Sequence, residues 1–259
     1  MTAPPLLALR GVFKRYGAVQ ALADVGLEVR AGQVVALVGD NGAGKSTLIK
    51  VIAGVDPADA GVIEWDGRPV HIGRPHDAQD LGIATVYQDL ALCDNLDVVG
   101  NLFLGRETVR AGLLDEVEME RRTLELLDTL AIRMPSVRMP VASLSGGQRQ
   151  TVAIARSMLG EPRLVMLDEP TASLGIEQTA QVLDLVDQLR ERGLGVLLIS
   201  HSMGDVKAVA DWTAVLRLGR NNGFFDVMTT SHEQIISSIT GATDNAVTRR
   251  SAPGWEVDR

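Results

Sequence analysis

Gly39, Asp40, Asn41, Gly42, Ala43, Gly44, Lys45 and Ser46 spell the pattern G-x-x-x-x-G-K-[ST], and Thr47 follows. Such a loop binds phosphate through its backbone: glycines let the chain curl until several N–H groups point at anionic oxygens. The helix that follows adds its positive end. Lys45 can reach the β- and γ-phosphates, and the Ser46 hydroxyl can ligate Mg²⁺. A ligand-free turn has no need of a lysine and a hydroxyl in these places. Alone, the loop specifies nucleoside-triphosphate chemistry and leaves open a kinase, a GTPase or a motor. A second constellation lies at residues 163–170, where an apolar run ends in Asp168, Glu169 and Pro170. At the C-terminal edge of a sheet, beside the phosphate loop, Asp168 can hold Mg²⁺ directly or through water. Glu169, one residue nearer the γ-phosphate, can polarise the attacking water as a general base.

A third group, Ser145, Gly146, Gly147 and Gln148, precedes a helical stretch reaching about Leu159. Ser145 can cap that helix, and the glycines leave its first N–H groups open, which makes a second anion site.

These groups need elements to hold them. Residues 33–38 read as a buried strand, followed by the glycine-rich turn and a helix over 45–53, the context a phosphate loop requires. Strands are expected at 6–13, 22–30, 83–87, 163–167 and 195–199, with helices at 176–192 and 203–210. Alternation of this kind makes an α/β fold with a mainly parallel sheet. Hairpins are expected about Asp66-Gly67, between 62–65 and 69–72, and about Asn222-Gly223, between 213–218 and 223–227. Residues 95–134 read as helical, with an apolar stripe of Val117, Leu124, Leu127 and Leu130 on a helix over 115–130. Ser231 and Gln234 can box the start of a last helix through Ile239. The polar tail, 243–259, reads as disordered.

Composition narrows the class. The net charge of −8 argues against broad nucleic-acid binding, which needs a basic face. The single cysteine, Cys93, permits no intrachain disulfide and lies in an apolar stretch that favours packing. No secretory signal is expected, and no apolar run approaches the ~20 residues of a membrane-spanning helix. His71, His76 and His232 show no metal spacing and read as surface residues.

Leu144-Ser145-Gly146-Gly147-Gln148, with Asp168 following Gln148 by 20 residues, resembles the signature motif and acidic strand of ABC transporter ATPases. Resemblance extends over about residues 6–242, which implies one ABC ATPase domain over 1–242: a P-loop NTPase core, an antiparallel β subdomain and an inserted α-helical subdomain at about 90–160. It further implies that Tyr16 stacks on adenine. By the same resemblance, Gln88 fits the glutamine of the Q-loop, which would ligate Mg²⁺ or its water and open the segment that meets the membrane partner. His201 fits the family's switch histidine, expected to contact the γ-phosphate and orient water and Glu169. The signature of one subunit faces ATP held by the other, in a head-to-tail dimer of two copies that buries two nucleotides. One departure stands out: where most members end the D-loop in aspartate, residues 172–175 read Ala-Ser-Leu-Gly, so Gly175 takes that position.

Residues 36–41, 86–92, 171–175 and 239–242 resemble the ATPases of pentose and hexose importers. The implied setting is the cytoplasmic face of the cell membrane, with separate permease subunits and, indirectly, an extracytoplasmic sugar-binding protein. An ATPase for amino-acid, lipid or metal import would share every catalytic residue. Non-transport members carry a long coiled coil or two ATPase domains, and neither pattern is present here. A P-loop kinase has no use for residues 145–148.

Overall fold

The computed structural model describes residues 4–241, so the tail 243–259 lies outside the described residues. Two antiparallel strands, β1 (Leu7–Tyr16) and β2 (Val19–Val29), precede β3 (Val34–Val38) and α1 (Lys45–Ile52). A hairpin of β4 (Ala60–Trp65) and β5 (Arg68–Val70) turns at Asp66-Gly67, as its sequence requires. Next come α2 (Pro75–Asp80) and β6 (Ile83–Val86), then α3 (Val98–Phe103), a small hairpin of β7 (Val109–Arg110) and β8 (Leu113–Leu114), α4 (Glu116–Thr129) and α5 (Gly146–Met158). The chain continues as β9 (Leu164–Asp168), α6 (Ile176–Glu191), β10 (Gly195–Ile199), α7 (Met203–Val209), β11 (Trp212–Arg217), β12 (Arg220–Asp226) and α8 (His232–Thr240).

Among the described residues the larger sheet has six strands in the order β12-β11-β3-β10-β9-β6, parallel except for the edge strand β12. Every residue of β3 and of β10 is buried, the mark of parallel strands covered on both faces. Their side chains divide by the two-residue period of a strand. Val34, Ala36, Val38, Val196 and Leu198 join the helix-side core with α5 and α6. Val35, Leu37, Leu197 and Ile199 pack towards the antiparallel sheet β2-β1-β4-β5. The parallel sheet is therefore a middle layer, and its strand ends are anchored from both sides.

Three expectations are corrected. The last hairpin turns at Leu218-Gly219, not Asn222-Gly223: Arg217 pairs with Arg220, and both tip residues have positive φ (49° and 76°), the primed turn that suits strand twist. Only glycine fits the second position, because a Cβ there would stand 2.6 Å from the Ala21 carbonyl oxygen. Asn222 lies within β12 and donates from Nδ2 to the Ser238 carbonyl. Second, the block 95–134 is not helical throughout: β7 and β8 interrupt it. Third, α4 buries Met119, Thr123 and Leu127, while Val117 is 81% and Leu124 52% exposed. Thr123 can take the buried face because its hydroxyl donates to the Met119 carbonyl at 2.8 Å. The short helix α2 has no counterpart in the sequence reading; Pro75 at its first turn and Asp77, which accepts from the Gly73 and Arg74 N–H groups, start it.

Candidate functional site

The phosphate loop leaves β3 and is wedged between two strands. A Cβ on Gly39 (φ 156°) would meet the Leu216 carbonyl oxygen at 2.3 Å, and one on Gly44 (φ 108°) would meet the Ala21 oxygen and Leu22 at 2.9 Å. Backbone conformation and crowding both select glycine. Gly42 has nothing within 4 Å on the side where a Cβ would project. The N-terminus of α1 receives no side-chain cap and carries no acidic residue in its first turn, so its N–H groups stay available to an anion. Lys45 is buried, and its Nζ donates to the carbonyls of Gly39 (2.8 Å) and Asp40 (3.1 Å). Burial pushes its pKa down; the charges of Glu169, Asp168 and Asp40 work the other way.

A cavity of about 410 Å³ lies above the loop, bounded by residues 41–47, Glu169, His201, the segment 19–21 and the hairpin tip Leu218-Gly219. Glu169 has φ 51°, an uncommon backbone for a glutamate, and its N–H donates to the Ile199 carbonyl at 3.0 Å. Its Oε1 meets His201 Nε2 at 2.6 Å, and Gln88 Nε2 donates to its Oε2 at 3.4 Å. Two sequence-predicted residues from two other loops, His201 and Gln88, thus converge on the carboxylate of a third. Burial, and then the Glu169 charge, push the Asp168 pKa up, against Lys45 and His201. The acidic pair is not immediately beside the phosphate-loop strand, because β10 lies between β3 and β9.

Tyr16 stands at the end of β1, paired with Val19, which lines this cavity; Tyr16 itself does not. Its ring is 42% exposed and its hydroxyl donates to Asp56 at 2.8 Å. Ser145 to Gln148 do not line the cavity. Ser145 caps α5 by accepting from the Gln148 N–H, while Gln148 Oε1 accepts from the Ser145 N–H. Gly147 is buried: a Cβ there would stand 2.9 Å from Cβ of Gln178 on α6. Gly175 begins α6 with open space where a Cβ would project. Within one chain, then, the signature is separated from the phosphate loop.

Sequence reasoning missed three contributors. Leu218-Gly219 closes one wall and binds the loop through Gly219 N–H to the Ala43 carbonyl at 2.9 Å. Arg156 of α5 donates to the carbonyls of Leu90 and Ala91, both at 2.7 Å, fixing the segment after Gln88. Asp205 accepts from Thr171 and Ser202. Only the last left a trace in the sequence, since Ser202 and Asp205 have the spacing of a helix start.

Comparison with known proteins agrees with this geometry. Residues 22–172 match the ABC transporter family model. The xylose/arabinose import ATP-binding protein XylG of Sulfolobus acidocaldarius is 46% identical over 215 residues, 83% of this chain and 86% of that protein. The fructose import ATP-binding protein FrcA of Rhizobium meliloti is 39% identical over 252 residues, 94% and 97% of the two chains. A solved ATP binding subunit of an ABC transporter superposes with a TM-score of 0.73 at 28% identity, covering 91% of this chain and 99% of that one. On the phosphate loop, the acidic strand, the signature helix and these matches, the chain belongs to the ABC transporter family, as an ATP-binding cassette.

Proposed function

We propose that the chain is the ATP-hydrolysing subunit of an ABC importer for a simple sugar. The observation that carries hydrolysis is the meeting of phosphate loop, Lys45, Glu169 and His201 around one cavity. The phosphate loop and the open end of α1 bind the triphosphate, with Gly39 to Thr47 supplying backbone and side-chain donors. Tyr16, half-exposed beside the cavity-lining Val19, offers its ring to the adenine. Lys45 supplies charge to the phosphates, Glu169 takes the proton from water, and His201 holds Glu169 in place at 2.6 Å.

Ser46, Asp168 and the amide oxygen of Gln88 form a set of oxygen donors that suits magnesium, whose charge neutralises phosphate oxygens when bound. Asp168 fits this use: burial and the Glu169 charge push its pKa up despite Lys45 and His201, and a metal ion would relieve that cost.

The open N-terminus of α5 serves a second copy, so that two chains head to tail share two nucleotides. Closure on ATP and opening after hydrolysis are then a rigid-body movement. No helix among the described residues is long and apolar enough to cross a membrane. By its likeness to import ATP-binding proteins, the chain works on separate permease subunits at the membrane's cytoplasmic face, with an extracytoplasmic sugar-binding protein beyond. A groove of about 490 Å³, bounded by Tyr87, Asp89, Leu90, Leu104, Arg106 and Arg156 among others, fits the permease contact. Val98 and Phe103, on the same stretch, are buried core instead.

The sugar assignment is supported by two import proteins for sugars that match across most of their length. It is tested by uptake of labelled pentoses and hexoses in cells lacking this gene, complemented with wild type or Glu169→Gln. Loss of one sugar, restored by wild type alone, is expected. If no sugar uptake changes while another solute's does, the chain serves a different importer class.

A further inference from the structure

Asp205 is a buried carboxylate for which the reaction described above has no use. It is 8% exposed, and among the described residues it has no ion-pair partner. Burying a carboxylate with so little compensation is costly, and an apolar side chain would fill the same space more cheaply. What it contacts gives the reason. Its Oδ2 accepts from Thr171 Oγ1 at 2.5 Å, and its Oδ1 accepts from Ser202 Oγ at 2.8 Å.

Those two partners sit on different loops. Thr171 follows Glu169 by two residues, across Pro170, in the loop after β9; Ser202 follows His201 directly, in the loop after β10. Glu169 and His201 themselves touch at 2.6 Å. The contacts therefore close a ring: Glu169 to His201, along the chain to Ser202, through Asp205 to Thr171, and back to Glu169. Ser202 also accepts from the Asp205 N–H at 3.3 Å as the cap of α7, so the carboxylate is fixed to its own helix. A cap alone needs no Thr171. The positive φ of Glu169 adds a requirement, because such a backbone persists only where its surroundings hold it.

We infer that Asp205 is a positioning residue: its carboxylate joins the loop after β9 to the loop after β10 and thereby sets the Glu169–His201 separation. This deepens the hydrolytic reading of the site and rests on it. Water activation depends steeply on that separation, whereas triphosphate binding rests on the phosphate loop, which Asp205 does not touch.

Full-length chain carrying Asp205→Asn or Thr171→Val, both close in shape to the native side chain, tests the inference. ATP turnover is expected to fall about 10- to 100-fold with KM for ATP within about threefold of wild type. Thr171→Ser, which keeps the hydroxyl, restores most of the rate, and the double variant is no slower than the worse single one, since both remove one contact. Wild type and Glu169→Gln run alongside: absent hydrolysis by wild type rejects the hydrolytic reading, not the ring. The ring is read independently from the imidazole resonances of labelled chain without nucleotide. In Asp205→Asn the His201 signal is expected to move while those of His71, His76 and His232 stay. An unmoved His201 signal overturns the inference, as does turnover near wild type in both isosteric variants or losses that simply multiply in the double.

Discussion

Replacing Ser145 by aspartate separates the folding role of the signature from its proposed role towards a second copy. The serine caps α5 by accepting from the Gln148 N–H at 3.2 Å, and aspartate is as good a cap. A negative charge there also favours the helix dipole, so Ser145→Asp is expected to keep or slightly raise Tm. Ser145 is exposed, so the longer side chain meets no core. The same carboxylate sits beside the Gly146 and Gly147 N–H groups, which have no partner within the helix. A phosphate docked on them would lie about 5 Å from the new charge, a repulsion of about 3 kcal/mol per unit charge at an effective dielectric of about 20. That is a factor of about 100 or more in each shared site.

Ser145→Asp should therefore bind ATP in its own phosphate loop normally yet fail to form the ATP-dependent dimer at concentrations where the hydrolysis-deficient Glu169→Gln chain dimerises. The Glu169→Gln background holds the nucleotide intact, and light scattering with and without ATP reads the result. Gly147→Asp is a poorer probe, because a side chain at 147 strikes Gln178 of its own chain. Full ATP-dependent dimerisation of Ser145→Asp would refute the assignment of the α5 terminus to a partner's phosphate.

Three further expectations follow from the site. Glu169→Gln keeps the shape of the side chain and removes its basicity, so ATP binding persists while turnover falls about 100- to 10,000-fold, measured by phosphate release; near-normal turnover excludes Glu169 as the base. Gly147→Ala puts a Cβ 2.9 Å from Gln178, a cost of about 1–3 kcal/mol that helix propensity offsets by up to about 1 kcal/mol, so thermal unfolding should show a Tm lowered by several degrees. Burial holds the Asp168 pKa above the usual carboxylate range, so the folded chain binds that proton more tightly than the unfolded one, and stability falls as pH rises through the window between the two. In metal- and nucleotide-free buffer, Asp168→Asn is accordingly expected to unfold at a higher Tm than wild type at neutral pH, with the difference vanishing below the ordinary carboxylate pKa; a difference independent of pH contradicts the burial account.

Much of the site was legible because its chemistry is written in short local patterns. The phosphate loop, the acidic strand end and the serine cap of α5 each combine residue type, spacing and flanking element, and all three stand on the elements their sequence implied. What was not legible depended on tertiary choice. Asn222-Gly223 is as good a turn signal as Leu218-Gly219 is a poor one, yet the second wins because Gly219 packs against Ala21 and binds the phosphate loop. On α4, Val117 and Leu124 are the more apolar residues, but the face that meets the core carries Met119 and Thr123. Arg156 carries no local signal of its partner Ala91, 65 residues away, and the helix-start spacing of Ser202 and Asp205 says nothing of Thr171, 34 residues away.

Strand order explains why His201 occupies the position it does. Along the chain the acidic pair comes between the phosphate loop and the histidine, whereas in the sheet β10 lies between β3 and β9. All three strands are parallel, so their C-terminal loops leave the same edge, and the histidine issues from the middle one. From there it can face the phosphate loop on one side and touch Glu169 on the other. A direct β3–β9 pairing would press the acidic pair against the loop and leave the histidine outside. The interposed strand instead sets β3 and β9 two strand spacings apart, about 10 Å, and so separates the phosphate-binding backbone from the general base. That spacing gives a water molecule room to stand between them.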